Sequence, residues 1–190
     1  MRKIPTIFDR DYGDGKRGKH YVIDKRLVDL PEGAVATEKL DGTNVRVTIR
    51  AGRCVRLEKR RNPRKEQKAE GIVDPWYTDA ESLDPADQHM WVAVNNTNFT
   101  NTSDGEWSGE AIGPKIQGNP LTLDKPFIFL FSDPRMREGL ELYVASTDFD
   151  DLHTLLNDCR SIYNPRVRIE GIVWWYEGIP VGKIKVGDFE

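Results

Sequence analysis

Apolar and polar residues alternate along much of this chain, and the alternation predicts strands first. In Val45-Arg46-Val47-Thr48-Ile49 three apolar side chains fall on one face and two polar ones on the other, the period of a half-buried strand. The apolar run Gly33-Ala34-Val35-Ala36 predicts a strand at 35–39, and Asp41-Gly42 turns the chain into a second at 45–50. Ala51-Gly52 signals a hairpin into 53–59, where Val55 and Leu57 alternate with Arg56 and Glu58. Further strands are predicted at 107–112, at 127–131 after Pro126, and at 168–176 and 181–186, the last two joined as a hairpin. A longer period marks the helices. One is short, at 65–71. A second runs 84–95, with Pro85 at its first position and Met90, Trp91 and Val94 apolar. A third is capped by Ser146, Thr147 or Asp148 and runs to about Cys159, with Leu152, Leu155 and Leu156 on one face. Residues 95–105 read as a polar loop, and 2–33 match no pattern. Trp91, Trp107 and Trp174 are expected in the core; Trp76 has no predicted place. With no repeat, low-complexity stretch or linker, the order predicts an α+β fold with antiparallel sheets and flanking helices.

Composition changes this picture in one respect. The 190 residues suffice for a substantial core, 31% of them are charged, and no apolar run approaches the ~20 residues of a membrane span. Met1 to Pro5 has no apolar stretch behind it, and Cys54 and Cys159 have no metal-type spacing, so a cytoplasmic protein with reduced thiols is expected. The sequons at Asn95, Asn98 and Asn101 then carry no sugar. His20, His89 and His153 show no ligand spacing. Charge, however, is unevenly spread. Residues 46–68 hold ten basic and two acidic side chains, a local +8 in a chain of net charge −3. Residues 69–89 hold six acids and no Lys or Arg. The basic segment is either a phosphate-binding surface or a solvated charged hairpin.

The candidate chemistry starts at Lys39, in Glu38-Lys39-Leu40-Asp41-Gly42-Thr43-Asn44. A lysine at a strand end, followed by a Gly-containing turn, is suited to nucleophilic attack: the strand fixes its origin and the turn brings backbone N–H groups near a phosphate. An ordinary Asp-Gly hairpin beside an exposed lysine has the same string. Four later segments accompany it. They are Glu58-Lys59-Arg60-Arg61-Asn62; Gly109-Glu110 through Gly113-Pro114-Lys115-Ile116-Gln117-Gly118-Asn119; Phe127-Ile128-Phe129-Leu130-Phe131; and Glu170-Gly171-Ile172-Val173 with Lys183-Ile184-Lys185-Val186.

Lys-x-Asp-Gly, a basic patch, Gly-Glu-x-x-Gly, an aromatic strand, Glu-Gly-Ile-Val and Lys-x-Lys, in that order, resemble the ATP-dependent polynucleotide ligases of the covalent nucleotidyltransferase superfamily. The flavour is that of RNA ligases of the phage nick-sealing and kinetoplastid editing types, from about residue 34 to the C-terminus. The resemblance implies an adenylyltransferase (ATP-grasp-like ligase) nucleotidyltransferase domain that uses ATP and Mg²⁺ or Mn²⁺. Lys39 would attack the α-phosphorus and hold AMP as a phosphoramidate. Lys183 and Lys185, on one strand face, would neutralise the α-phosphate and disfavour an ammonium beside them. Glu110 would serve the ribose, Glu170 the metal through water, and Glu38 the adenine amino group. Asn44 belongs to the nucleotide site. Arg60 would meet phosphate bidentately with Lys59 and Arg61 beside it, and Gln117 and Asn119 lie in a loop that approaches the reacting phosphate. Phe129, with Phe131 next, would stack on adenine, although three aromatics on one strand face are ordinarily core and at least two are expected there.

The pattern also departs from that family. Polynucleotide ligases usually continue past Lys-x-Lys into an OB or helical domain, whereas this chain ends at Glu190. The expectation is a single nucleotidyltransferase domain over 1–190, as a minimal enzyme, a truncated chain, or one served by a separate clamp protein. The implied partners are RNA 5′-phosphate and 3′-hydroxyl ends, with no membrane. The 46–68 hairpin and the N-terminal cluster from Arg10 to Arg26 are the obvious RNA surfaces. Two other readings share these residues: a GTP-using capping guanylyltransferase, and a non-catalytic RNA-binding module with a relic nucleotide pocket.

Overall fold

Register between neighbouring strands decides which side chains share a face, and two separate sheets do this work. The computed structural model describes residues 3–12 and 21–190. The chain is α+β, with antiparallel sheets and few helices, and divides into two compact units, one built mainly on Asp41–Glu138 and the other on Ile4–Leu40 with Gly139–Glu190.

The first unit is a five-stranded antiparallel sheet. In chain order its strands are β4 (Thr43–Arg50), β5 (Arg53–Arg61), β6 (Trp76–Asp79), β7 (Gly105–Ile112) and β8 (Phe127–Leu130), arranged β6-β5-β4-β7-β8. Its core face follows the predicted alternation. Val45, Val47 and Ile49 of β4, Leu57 of β5, Ala111 of β7 and Ile128 and Leu130 of β8 pack under α2 (Gln88–Asn95) through Met90, Ala93 and Val94. Trp91 and Trp107, expected in the core, are partly buried and pack against this cluster at its margin. Helices α1 (Lys65–Ala69) and α3 (Pro134–Glu138) complete the unit. Helix α2 begins four residues later than predicted. Asp84 to Asp87 form tight turns instead, and the Asp87 carboxylate is buried and paired with Lys59.

The second unit holds the three-stranded sheet β10-β9-β3, from β3 (Val35–Lys39), β9 (Gly171–Tyr176) and β10 (Ile179–Lys185). Ala36, Ile172, Trp174 and Ile184 turn one face of it onto α4 (Phe149–Asp158), through Leu152 and Leu156. A two-stranded ribbon, β1 (Phe8–Arg10) and β2 (Val22–Arg26), adds Ile7, Phe8 and Val22 to this core. The Tyr176–Ile179 turn closes the predicted hairpin. Strand β9 starts at Gly171 rather than 168, because Arg168 bridges to Arg160 instead of joining the sheet. Among the described residues no helix is long and apolar enough to cross a membrane.

Candidate functional site

In the second unit, register gathers four of the expected residues. Lys39 of β3 and Lys185 of β10 both stand opposite Gly171 of the central strand β9, and Thr37 and Lys183 both stand opposite Val173, one step along the same face. Gly171 has no alternative here. A Cβ at that position would lie 2.2 Å from the Ile184 carbonyl oxygen and 2.8 Å from the Lys185 Cα, so a side chain would force β9 and β10 apart. Glu170, just before the strand, reaches across this row. Its Oε2 accepts from the Lys39 ammonium at 2.5 Å, and its Oε1 lies 3.4 Å from Lys185 Nζ. About a fifth of the Lys39 and Glu170 side chains is open to solvent, so the group is partly dried and still reachable. Three lysines share this face, two of them paired with Glu170, an arrangement in which polyphosphate oxygens are welcome.

Glu38 lies elsewhere. Alternation turns it to the opposite face of β3, where it is buried and its Oε2 accepts from the Ile162 N–H at 2.9 Å. Its Oε1 has no hydrogen-bond partner among the described residues. Its charge, added to burial as the larger cause, pushes the Tyr163 hydroxyl up to about 12 and raises the Cys159 thiol.

The first unit carries a second polar group on the sheet face turned away from its apolar core. Asn44 stands opposite Glu110, Glu110 opposite Phe129, and Arg60 opposite Tyr77. The Asn44 amide donates to Glu110 Oε2 at 3.4 Å and to the Gly109 carbonyl at 3.3 Å. Arg60 Nε is buried without a hydrogen-bond partner among the described residues. Phe129 is buried, with Phe131 at 6.2 Å between ring centroids. Of the three aromatics expected to supply at least two core residues, Phe129 is buried and Phe127 and Phe131 are half-buried. Register with β7 sends Ile128 and Leu130 into the apolar cluster and the phenylalanines to the Glu110 side. Gly42 of the Lys-x-Asp-Gly string also acquires a reason: a Cβ there would sit 2.2 Å from the Ala111 carbonyl oxygen of β7.

The remaining expected residues do not join this group. Lys59 and Arg61 alternate with Arg60 and so project from the core side of β5. Lys59 is consumed by its ion pair with the buried Asp87, while Arg61 is exposed at the strand end. Gln117 donates to Thr43 Oγ1 at 3.3 Å. Asn119 instead braces its own loop, accepting from Leu123 N–H and donating to Leu123 O, both at 3.0 Å. That loop is unusual: Lys115, Gln117, Asn119 and Thr122 all have positive φ, anchored by the fully buried Ile116. Gly118 is left-handed as well, and the Ile116, Asn119 and Thr122 N–H groups are spent on turns within the loop.

Two residues that the motifs did not indicate stand on the Asn44 face. Tyr77 donates its hydroxyl to Asn44 Oδ1 at 2.7 Å, and Arg46 lies over the Tyr77 ring at 4.8 Å while gripping the buried Glu58 through two hydrogen bonds of 2.6 and 2.7 Å. Nothing in a four-residue strand inside an acidic stretch signals this. Only pairing with β5 reveals it.

The basic surface is smaller than its sequence suggested. Arg46, Arg56 and Lys59 are paired with Glu58, Asp79 and Asp87. In the N-terminal cluster, Arg10 pairs with Asp188, Lys25 with Asp9, and Arg26 binds Thr147. Lys16, Arg17, Lys19 and His20 lie outside the described residues.

For a divalent ion, no cluster of three or more His, Cys, Asp or Glu exists among the described residues. Glu170 remains as a single oxygen donor, which suits Mg²⁺ or Mn²⁺ held by one carboxylate together with substrate phosphates and water.

Neither the protein-family models nor the curated proteins include a match to this sequence. Among solved structures the chain is similar to Naegleria gruberi RNA ligase with PPi, at 19% identity and a TM-score of 0.47, over 80% of this chain and 49% of that one. It is similar also to a mutant of that ligase with ATP and Mn, at 18% identity and a TM-score of 0.47, over the same shares. The chain thus spans about half the length of these structural relatives.

Proposed function

We propose that this chain is an ATP-dependent RNA ligase working through a lysyl-AMP intermediate. The observation that carries the reading is the row Lys39–Gly171–Lys185 with Glu170 bonded to both lysines and Lys183 on the same face. In the first step the Lys39 amine attacks the α-phosphorus of ATP. The bond to the β-phosphate oxygen breaks, pyrophosphate leaves, and the amine loses its proton as the phosphoramidate forms. Lys183 and Lys185 balance the charge that develops on the phosphoryl oxygens. Glu170 holds Lys39 in place before the nucleotide arrives, and must release it for attack. Glu170 would also hold a divalent ion, which would help neutralise the phosphates. Asn44, Glu110 and Phe129 are assigned to the ribose and base, and Arg60, whose Nε has no partner among the described residues, to phosphate. AMP then passes to an RNA 5′-phosphate, and a 3′-hydroxyl displaces it to join the ends.

The test is direct. The protein is incubated with α-labelled ATP, or GTP, and Mg²⁺ or Mn²⁺, and acid-resistant label is read by gel and by intact mass. Wild type is expected to gain one AMP and no GMP. Lys39→Ala and Lys39→Arg are expected to gain neither, since neither supplies an attacking amine. An unlabelled wild type, or an adduct on either variant, overturns the assignment.

A further inference from the structure

The phenol of Tyr77 settles a choice that Asn44 cannot make alone. A side-chain amide has two orientations of nearly the same shape, and its neighbours select one. Tyr77 donates to Asn44 Oδ1 at 2.7 Å, which turns Nδ2 toward Gly109 O at 3.3 Å and Glu110 Oε2 at 3.4 Å. The reverse orientation would set the amide oxygen against those two acceptors. The phenol is itself held. Arg46 lies over its ring at 4.8 Å, anchored to Glu58. Burial raises the phenol above its ordinary value of 10.0, so at neutral pH it remains a donor.

We infer that Tyr77 is a positioning residue: it orients the Asn44 amide so that Glu110 is presented, aligned and partnered, to a nucleotide ribose. This rests on the nucleotide reading above and deepens it. Tyr77 touches no reacting atom, and its effect passes through Asn44.

Tyr77→Phe keeps the ring beneath Arg46 and removes only the hydroxyl. In ATP–pyrophosphate exchange, which turns the adenylation step over, Tyr77→Phe should then show a KM for ATP raised about three- to tenfold, the range of one neutral hydrogen bond, with kcat changed much less. The preference for ATP over its 2′- or 3′-deoxy analogues, whichever wild type rejects, should narrow by a similar factor. Asn44→Ala should abolish the effect of a second substitution at Tyr77, since both act through one amide. Without nucleotide, the Asn44 side-chain NH₂ resonances should shift in Tyr77→Phe. Unmoved amide signals, an unchanged KM and deoxy-analogue ratio in a folded variant, or additive losses in the double variant each overturn the inference. A wild type that forms no AMP adduct defeats the nucleotide reading, and with it the ribose role. The amide resonances would then report separately whether Tyr77 orients Asn44.

Discussion

Glu170 has one carboxylate and two ammonium partners, and that arithmetic governs the chemistry expected of Lys39. Its two oxygens are divided between Lys39 at 2.5 Å and Lys185 at 3.4 Å. Replacing Lys185 by Ala leaves Glu170 to Lys39 alone and removes a cation from the phosphate face. Lys183→Ala removes the neighbouring cation two residues away. Each variant should slow self-adenylation roughly 30- to 150-fold, equivalent to ~2–3 kcal/mol of lost transition-state stabilisation. Single-turnover labelling at saturating ATP measures this, and rates within about twofold of wild type would make these lysines ordinary surface residues. At this scale the sequence was readable for Lys39, Lys183 and Lys185, because i, i+2 spacing is enough to put two side chains on one face. Glu38, next to Lys39 in sequence, falls on the opposite face of β3, since adjacency along a strand separates two side chains as surely as i, i+2 unites them.

At the scale of elements, the β4–β5 hairpin spends its charge on cohesion. Arg46 and Arg56 converge on Glu58, whose carboxyl is held below its ordinary value of 4.5 chiefly by the Arg46 hydrogen bonds, against the opposing cost of burial. The sign follows from linkage. A depressed folded-state value contributes stability that is complete above the unfolded value and is lost as pH falls through the folded one. Glu58→Gln should therefore unfold at lower temperature near neutral pH, by about 2 kcal/mol for charge-assisted bonds of this kind. The deficit relative to wild type should shrink as the medium is acidified below about 4.5. Thermal melts across that range decide it; a deficit that does not change with pH contradicts the ion-pair account. The pairing of β4 with β5 was legible from alternation. Strand β6 was not: four residues are too few to display a period, and its place comes from β5 hydrogen-bonding to it. The β1–β2 ribbon escaped for the same reason.

For the whole molecule, the +8 segment separates into a paired middle and two ends. Arg50 and Arg53 flank the hairpin tip, while Arg61, Arg64, Lys65 and Lys68 follow one another from the far end of β5 into α1. Arg56 is excluded as an RNA contact because Asp79 and Glu58 already hold it. Replacing Arg61, Arg64, Lys65 and Lys68 by Gln should weaken RNA binding and flatten its salt dependence, each lost phosphate contact removing ~0.7–0.9 from the slope of log affinity against log salt. AMP adduct formation should persist and sealing should fail at moderate salt. An unchanged slope returns this end to a solvated charged face, and loss of the adduct in a folded variant moves these cations into the nucleotide site.

By itself, the sequence determined the antiparallel α+β character, the strands around the Asp-Gly turn, and the identity and order of the chemically capable residues. These are local properties: period, turn chemistry and side-chain type need no information from distant parts of the chain. Only the tertiary structure decided that Glu170 is shared between Lys39 and Lys185, that Lys59 serves Asp87 rather than the Asn44 face, that Phe129 shares the Glu110 face, and that Tyr77 meets Asn44. Each depends on the register of strands distant in sequence, and a shift of one residue in that register exchanges every side chain between faces.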